Sequence, residues 1–142
     1  MSEQQPTTGP TGNEKGGVIH FEDAVVKTDL EGHPGLVAHR YVRPPDEYSN
    51  WLLLTLDIVE EGGGVDLHYH DGLEADHAYY MIEGTAIATI GDRTYEVGPH
   101  SLIMFPCQTL HALKVTSKGG AKFLRLGAAP DGQASGNSVY VE

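Results

Sequence analysis

The sequence predicts an all-β, single-domain protein built as an antiparallel jelly-roll β-barrel, on three observations. Ten short runs of β-branched, aromatic and aliphatic residues follow one another. Clusters of Gly, Pro, Asn or Asp bound them. No stretch has the length and 3.6-residue apolar period of an amphipathic helix. Short antiparallel strands with tight connections bury an apolar face by packing two sheets or closing one into a barrel.

Residues 1–17, polar and rich in Gly, Pro, Thr and Gln, lack that signal and are expected to be a disordered leader, which leaves 18–142 as the barrel domain. The predicted strands are 18–22 (VIHFE), 35–42, 51–59, 65–70, 77–83, 85–90, 93–97, 101–105, 110–116 and 121–127. In 51–59 (WLLLTLDIV) the face of Leu52, Leu54, Leu56 and Ile58 is entirely apolar and is expected to point into the core; the other face carries Trp51, Leu53, Thr55 and Asp57. The Pro-Pro in 43–50 resists ladder pairing and predicts a loop over an edge or mouth. Gly91-Asp92 reads as a two-residue hairpin whose glycine supplies the positive φ, and the tail NSVYVE as a spare edge strand available to a partner subunit.

Composition narrows the function. Nine basic against 20 acidic residues give a formal charge of -11, which argues against a nucleic-acid or acidic-membrane surface. The lone Cys107 offers neither an internal disulfide nor a thiolate pair and reads as a small buried hydrophobe in a reducing, cytoplasmic setting. Neither a signal-peptide core nor an apolar run long enough to span a bilayer is visible.

Chemistry gathers between Gly64 and Gly84 and again at 106–111. Side chains two apart on a strand share a face, so His68 and His70 project together; His77 opens the next strand and His111 follows Pro106 by five positions. If those strands are neighbours, neutral imidazoles converge, and a divalent transition ion prefers such donors. The same parity places Tyr79 and Met81 with His77, Thr109 and Leu113 with His111, and Asp66 with His68. Arg40, Tyr41 and Tyr48 are candidates to bind a carboxylate or cover the mouth, with a solvated role as the alternative. His20, His33, His39 and His100 are assigned to surface or strand-end positions.

The run GVDLHYH, a loop, YYMIEG and then GPHSLIMFPCQTLH resembles the paired motifs of the cupin superfamily over about Gly64 to His111. The resemblance implies a cupin-type barrel, a metal held by His68, His70 and His111, and often a homodimer. Two positions depart from the pattern. His77 stands where the family has its glutamate, with Glu74 in the preceding loop as the alternative ligand, and Gln108 replaces a turn glycine. With four neutral imidazoles the ion keeps a charge near its full +2 and favours an anionic ligand; Fe, Ni, Cu, Zn or Mn would all serve. The expected function is thus a metal-dependent enzyme on a small, anionic molecule. A dioxygenase comes first, an isomerase, lyase or cyclase second, and a binding module with a structural metal third. Tyr79 is a candidate donor to a bound oxygen, with an aromatic core residue whose hydroxyl sits at the barrel rim as the alternative, and Glu74, if not a ligand, is the candidate base.

Overall fold

The computed structural model describes residues 15–44, 46–49, 51–70, 77–106, 108–128 and 138–141. Eleven antiparallel strands are named in chain order: β1 Val25–Lys27, β2 Leu36–Val42, β3 Leu52–Val59, β4 Gly64–His70, β5 His77–Glu83, β6 Ala86–Ile90, β7 Arg93–Val97, β8 Leu102–Phe105, β9 His111–Val115, β10 Ala121–Ala128 and β11 Ser138–Tyr140. They form a six-stranded sheet, β1-β2-β3-β10-β5-β8, and a five-stranded sheet, β11-β4-β9-β6-β7. Because consecutive strands from β3 to β6 alternate between sheets, the chain winds a jelly roll around a core that both sheets line. Leu36, Ala38, Met81, Ile103, Phe105 and Phe123 from one sheet meet Val65, Ala86, Ala88, Leu113 and Val115 from the other.

Nine of the ten expected strands form, within a residue or two of their expected bounds. The hairpin at Gly91-Asp92 has the expected two-residue loop, with Ile90 paired to Arg93 and Gly91 at φ 61°. The exception is 18–22. Phe21–Asp23 forms a 3-10 turn closed by Asp23 N–H and Ala24 N–H donating to the carbonyls of His20 and Phe21, and Phe21 stacks on His39 at 4.6 Å outside the barrel. The edge strand comes after it, where Val25-Val26-Lys27 pairs with β2. Residues 1–14 of the expected leader lie outside the described residues.

One further expectation is corrected. The apolar face of β3 is not the inward one: Thr55, Asp57 and Val59 are 3, 0 and 2 % exposed, whereas Leu52 is 44 % exposed and Leu54, Leu56 and Ile58 are half-buried on the outside. A polar inward face is tolerated because Asp57 has an ionic partner, Arg125 Nη2 at 3.1 Å. The tail forms the expected edge strand: β11 pairs with β4 at the edge of the five-stranded sheet, Tyr140 opposite His68.

Candidate metal centre

The centre is assembled from β4 and β9 of one sheet and β5 of the other. A register shift between Val65 and His68 marks an irregularity in β4, where three steps along the strand match two on β9, and the one extra residue behaves as a bulge does. Val65 is buried, Asp66 turns out to solvent, and His68 returns to the interior. Asp66 therefore does not share a face with His68, contrary to simple alternation. Past this kink His68 lies directly opposite His111 on β9, and their rings are 4.2 Å apart. His70 reaches the same space, 5.1 Å from His68 and 5.5 Å from His111.

Nitrogen donors of His68, His70 and His111 all lie within 4.8 Å of one another, so these three side chains could hold a metal ion. His77, at the start of β5 on the facing sheet, closes the fourth side, its ring 5.7 Å from His70 and 5.2 Å from His111. It adjoins the tight set rather than belonging to it.

Protonation suits a metal. His68 Nδ1 lies 2.7 Å from the Asp66 carbonyl and His111 Nδ1 2.9 Å from the Thr109 carbonyl. A carbonyl only accepts, so each Nδ1 carries the hydrogen and each Nε2 carries the lone pair. Burial holds both rings neutral. It pushes His111 down to about 3 and lowers His68, against the opposing pull of those carbonyls and with help from neighbouring imidazoles. His111, 1 % exposed, keeps an Nε2 without a hydrogen-bond partner. An unpaired buried acceptor is costly unless something binds it, and a cation among neutral imidazoles fits that requirement.

Below the imidazoles the cup is floored by aromatic rings. Tyr79, 2 % exposed, packs at 4.6 Å on Phe105 and 4.9 Å on Phe123, and Phe105 lies 4.8 Å from His111. Glu74 and Cys107 lie outside the described residues. Gln108 takes up the left-handed φ of 59° that a glycine would favour in that turn. Tyr48 anchors the 43–50 loop through its N–H to Asp46 Oδ1 at 2.8 Å, and Tyr41 is half-buried on the outer side of β2.

Sequence reasoning missed several neighbours of the site. His33, assigned to the surface, is half-buried 6.3 Å from His68; its Nδ1–H donates to the Glu31 carbonyl at 2.6 Å, and burial lowers its pKa. Tyr140 lies 5.1 Å from His68 and donates its hydroxyl to the same Glu31 carbonyl at 2.7 Å. Gly32, at φ 70°, makes room for that ring, because a Cβ there would collide with Tyr140. Asp57 and Arg125 were hidden by the choice of the wrong face of β3. The alternation of AKFLRLG, which puts Phe123 and Arg125 on one face, was the signal available. His20 is exposed, and His100, at φ 70°, meets the Tyr80 hydroxyl at 2.7 Å on the periphery.

A jelly-roll barrel with imidazoles converging inside its mouth defines a class of small metal-binding barrels. The defining sequence pattern of the Cupin domain family matches residues 55–127, just over half the chain, and the protein belongs to that family. Among solved structures it is similar to the polyketide cyclase RemF from Streptomyces resistomycificus, at 25% identity and TM-score 0.70 over 89% of this chain and 85% of that one. It also resembles a cupin-2 domain protein from Rhodospirillum rubrum, at 15% identity and TM-score 0.71 over 89% and 81%. Salicylate 1,2-dioxygenase from Pseudoaminobacter salicylatoxidans shares the fold at 16% identity and TM-score 0.56, over 66% of this chain and 25% of that one. No curated protein matches the chain in sequence. Among the described residues no helix is long and apolar enough to cross a membrane.

Proposed function

We propose that this cupin is a metal-dependent enzyme acting on a small, anionic, enolisable organic molecule, with a non-oxidative cyclase or lyase reaction ahead of a dioxygenase. The observation that carries the metal dependence is the set of three histidines whose donors lie within 4.8 Å of one another, with the buried Nε2 of His111 unpartnered. Three protein donors leave coordination positions open for substrate, the arrangement expected of a catalytic rather than a closed structural site. His77 is proposed as a fourth, more distant ligand of an ion that takes five or six donors, so that positions stay open with it bound.

A bound ion would act as a Lewis acid on a substrate carbonyl oxygen, favouring loss of a neighbouring proton. The chain's own residues supply the rest. The Nδ1–H bonds of His68 and His111 keep both rings oriented. The floor of Tyr79, Phe105 and Phe123 offers an apolar aromatic surface suited to a conjugated molecule and excludes water beneath it. Tyr79 is proposed to donate its phenolic hydrogen to a substrate oxygen, and Glu74 to take the proton.

Support for the non-oxidative reading is the likeness to a polyketide cyclase over most of both chains, against a shorter and weaker likeness to a dioxygenase. The dioxygenase reading keeps its place because that neighbour is itself a cupin-like fold acting with oxygen by name. An oxygen electrode decides between them. The metal-loaded protein is given a panel of β-dicarbonyl and aromatic hydroxy acids, and product is followed alongside oxygen. Turnover without oxygen uptake is expected; stoichiometric uptake would move the assignment to the dioxygenase, and no turnover with any metal would remove the enzymatic reading.

A further inference from the structure

The inward face of the six-stranded sheet carries two guanidiniums and one carboxylate at the depth where a substrate would lie. Cross-strand pairing joins Arg40 on β2 to Thr55 on β3, Thr55 to Arg125 on β10, and Arg125 to Tyr79 on β5, a single row across the sheet. One step toward the mouth the row runs from Leu53 through Gly127 to His77, and one step deeper from Ala38 through Asp57 and Phe123. Arg40 and Arg125 thus lie one level below His77, beside Tyr79. Their backbones are separated by two strand spacings, roughly 10 Å, and the residue between them is the buried Thr55, 3 % exposed.

Charge in this row does not balance. Arg125, its side chain 23 % exposed, binds Oδ1 of Asp57, and its buried Nε has no partner. Among the described residues no carboxylate lies within ion-pair distance of Arg40. Arg40 shares the inward face of β2 with Leu36 and Ala38; burial, then the nearby Arg43 and Arg125, disfavour its charged form. Across the cup the charge of Arg125 adds to the burial that lowers the pKa of His68 and His33. Among the described residues one positive charge in this row is left without a counter-ion, in a chain whose overall charge of -11 would otherwise repel anions. Two guanidinium forks with a small residue between them are shaped to clamp a planar carboxylate.

We infer that Arg40 and Arg125 form a carboxylate-binding subsite within the cup, below the imidazoles, that anchors the acid group of the substrate while its reacting end meets the metal centre. The inference rests on the reading of the cup as a small-molecule site, and it narrows the substrate to a carboxylic acid. Thr55 offers a hydroxyl to the same group, and Asp57 fixes the fork of Arg125.

Calorimetric titration of the full chain with malonate tests it, using zinc-loaded and chelator-treated protein in low salt, with uncharged malonamide as the control. Malonate binding is expected in both forms, tighter with zinc, and malonamide binding in neither. Arg40→Gln should weaken malonate by at least about tenfold in both forms, as expected for losing a charge-assisted bond, and Arg40→Lys should recover part of the loss. Removing Arg125 alone would strand Asp57, so the second variant is the neutral pair Asp57→Asn with Arg125→Met, for which the same loss is expected. Unchanged malonate affinity in Arg40→Gln, binding that vanishes with chelator, or equal affinity for malonamide would each overturn the subsite. A separate zinc titration of the wild type reports on the metal centre. Failure to bind zinc with malonate binding intact would sink the enzyme reading and leave the subsite standing.

Discussion

Asp57 makes a prediction that can be worked through in sign and size. Its side chain is 0 % exposed, and burial raises its pKa from 3.8 to about 6 although Arg125 pulls the other way. Below pH 3.8 the carboxyl is protonated whether the chain is folded or not. Between 3.8 and about 6 the unfolded chain has released the proton and the folded chain still holds it, so stability falls as pH rises, and it levels off above 6. A shift of about two units at 1.36 kcal/mol each amounts to about 3 kcal/mol. His111 has the opposite slope: its folded pKa of about 3 lies below the ordinary 6.5, so the stability it contributes is present above 6.5 and is lost as pH falls toward 3. Across the shared window the two contributions oppose each other.

Asp57→Asn removes one of them. Asparagine mimics the protonated acid at every pH, and the loss of the partner of Arg125 adds a cost that does not change over this range. Urea unfolding of chelator-treated wild type and variant at pH 4, 5, 6 and 7 should give curves that are not parallel. Relative to wild type, the variant should fare better at pH 7 than at pH 4 by about 3 kcal/mol, with the change falling between pH 4 and 6. A difference that stays constant with pH would show that Asp57 is ionised throughout, held by Arg125 against its burial, and the reasoning about that pair would be wrong.

Other expectations follow from single contacts. His68→Ala and His111→Ala should each lose most bound zinc by metal analysis; His77→Ala should lose most of it if His77 is a ligand, and full retention would remove it from the set. Gly84 sits at φ 89°, where an added Cβ would run into the Gly120 carbonyl, so Gly84→Ala should cost about 2–4 kcal/mol in urea unfolding, from the left-handed backbone and the overpacking together. Tyr140→Phe removes the hydroxyl that donates to the Glu31 carbonyl and should cost about 1 kcal/mol in urea unfolding; no change would mean that this bond does not help to hold β11. The chain is proposed to form a homodimer through the outer leucines of β3 and β10, where Leu56 pairs with Leu124 and Leu54 with Leu126. Leu56→Lys should then sediment as a 15.3 kDa monomer, and a wild type that already does so would refute the dimer.

The strands were legible because their signal is local. An apolar run between turn residues reads the same in any context, and Gly91-Asp92 encodes its own hairpin. What needed distant partners was not legible. The 3-10 turn at Phe21–Asp23 exists where Phe21 finds His39 on β2, and nothing in VIHFE announces that. The outward turn of Asp66 depends on an irregularity in the ladder to β9, so counting by twos from His68 placed it wrongly even though His68 and His111 meet.

The inward face of β3 was misread for a more instructive reason. Alternation assigns the greasier face to the core when one face of a sheet meets solvent, and WLLLTLDIV has such a face. In a barrel whose inner wall carries a buried ion pair, the polar side of a strand faces inward and the apolar side of the same strand is left outside. Thr55 and Asp57 therefore line the inner face beside Arg125, and the four outer leucines of β3 and β10 face away. The apparent failure of hydrophobic patterning at β3 marks the wall of the pocket. Where the sequence places Asp57 and Arg125 on paired strands with matching parity, a buried ion pair is the arrangement that satisfies both. Arg40, two strands away in the same row, is then the charge left over for a ligand.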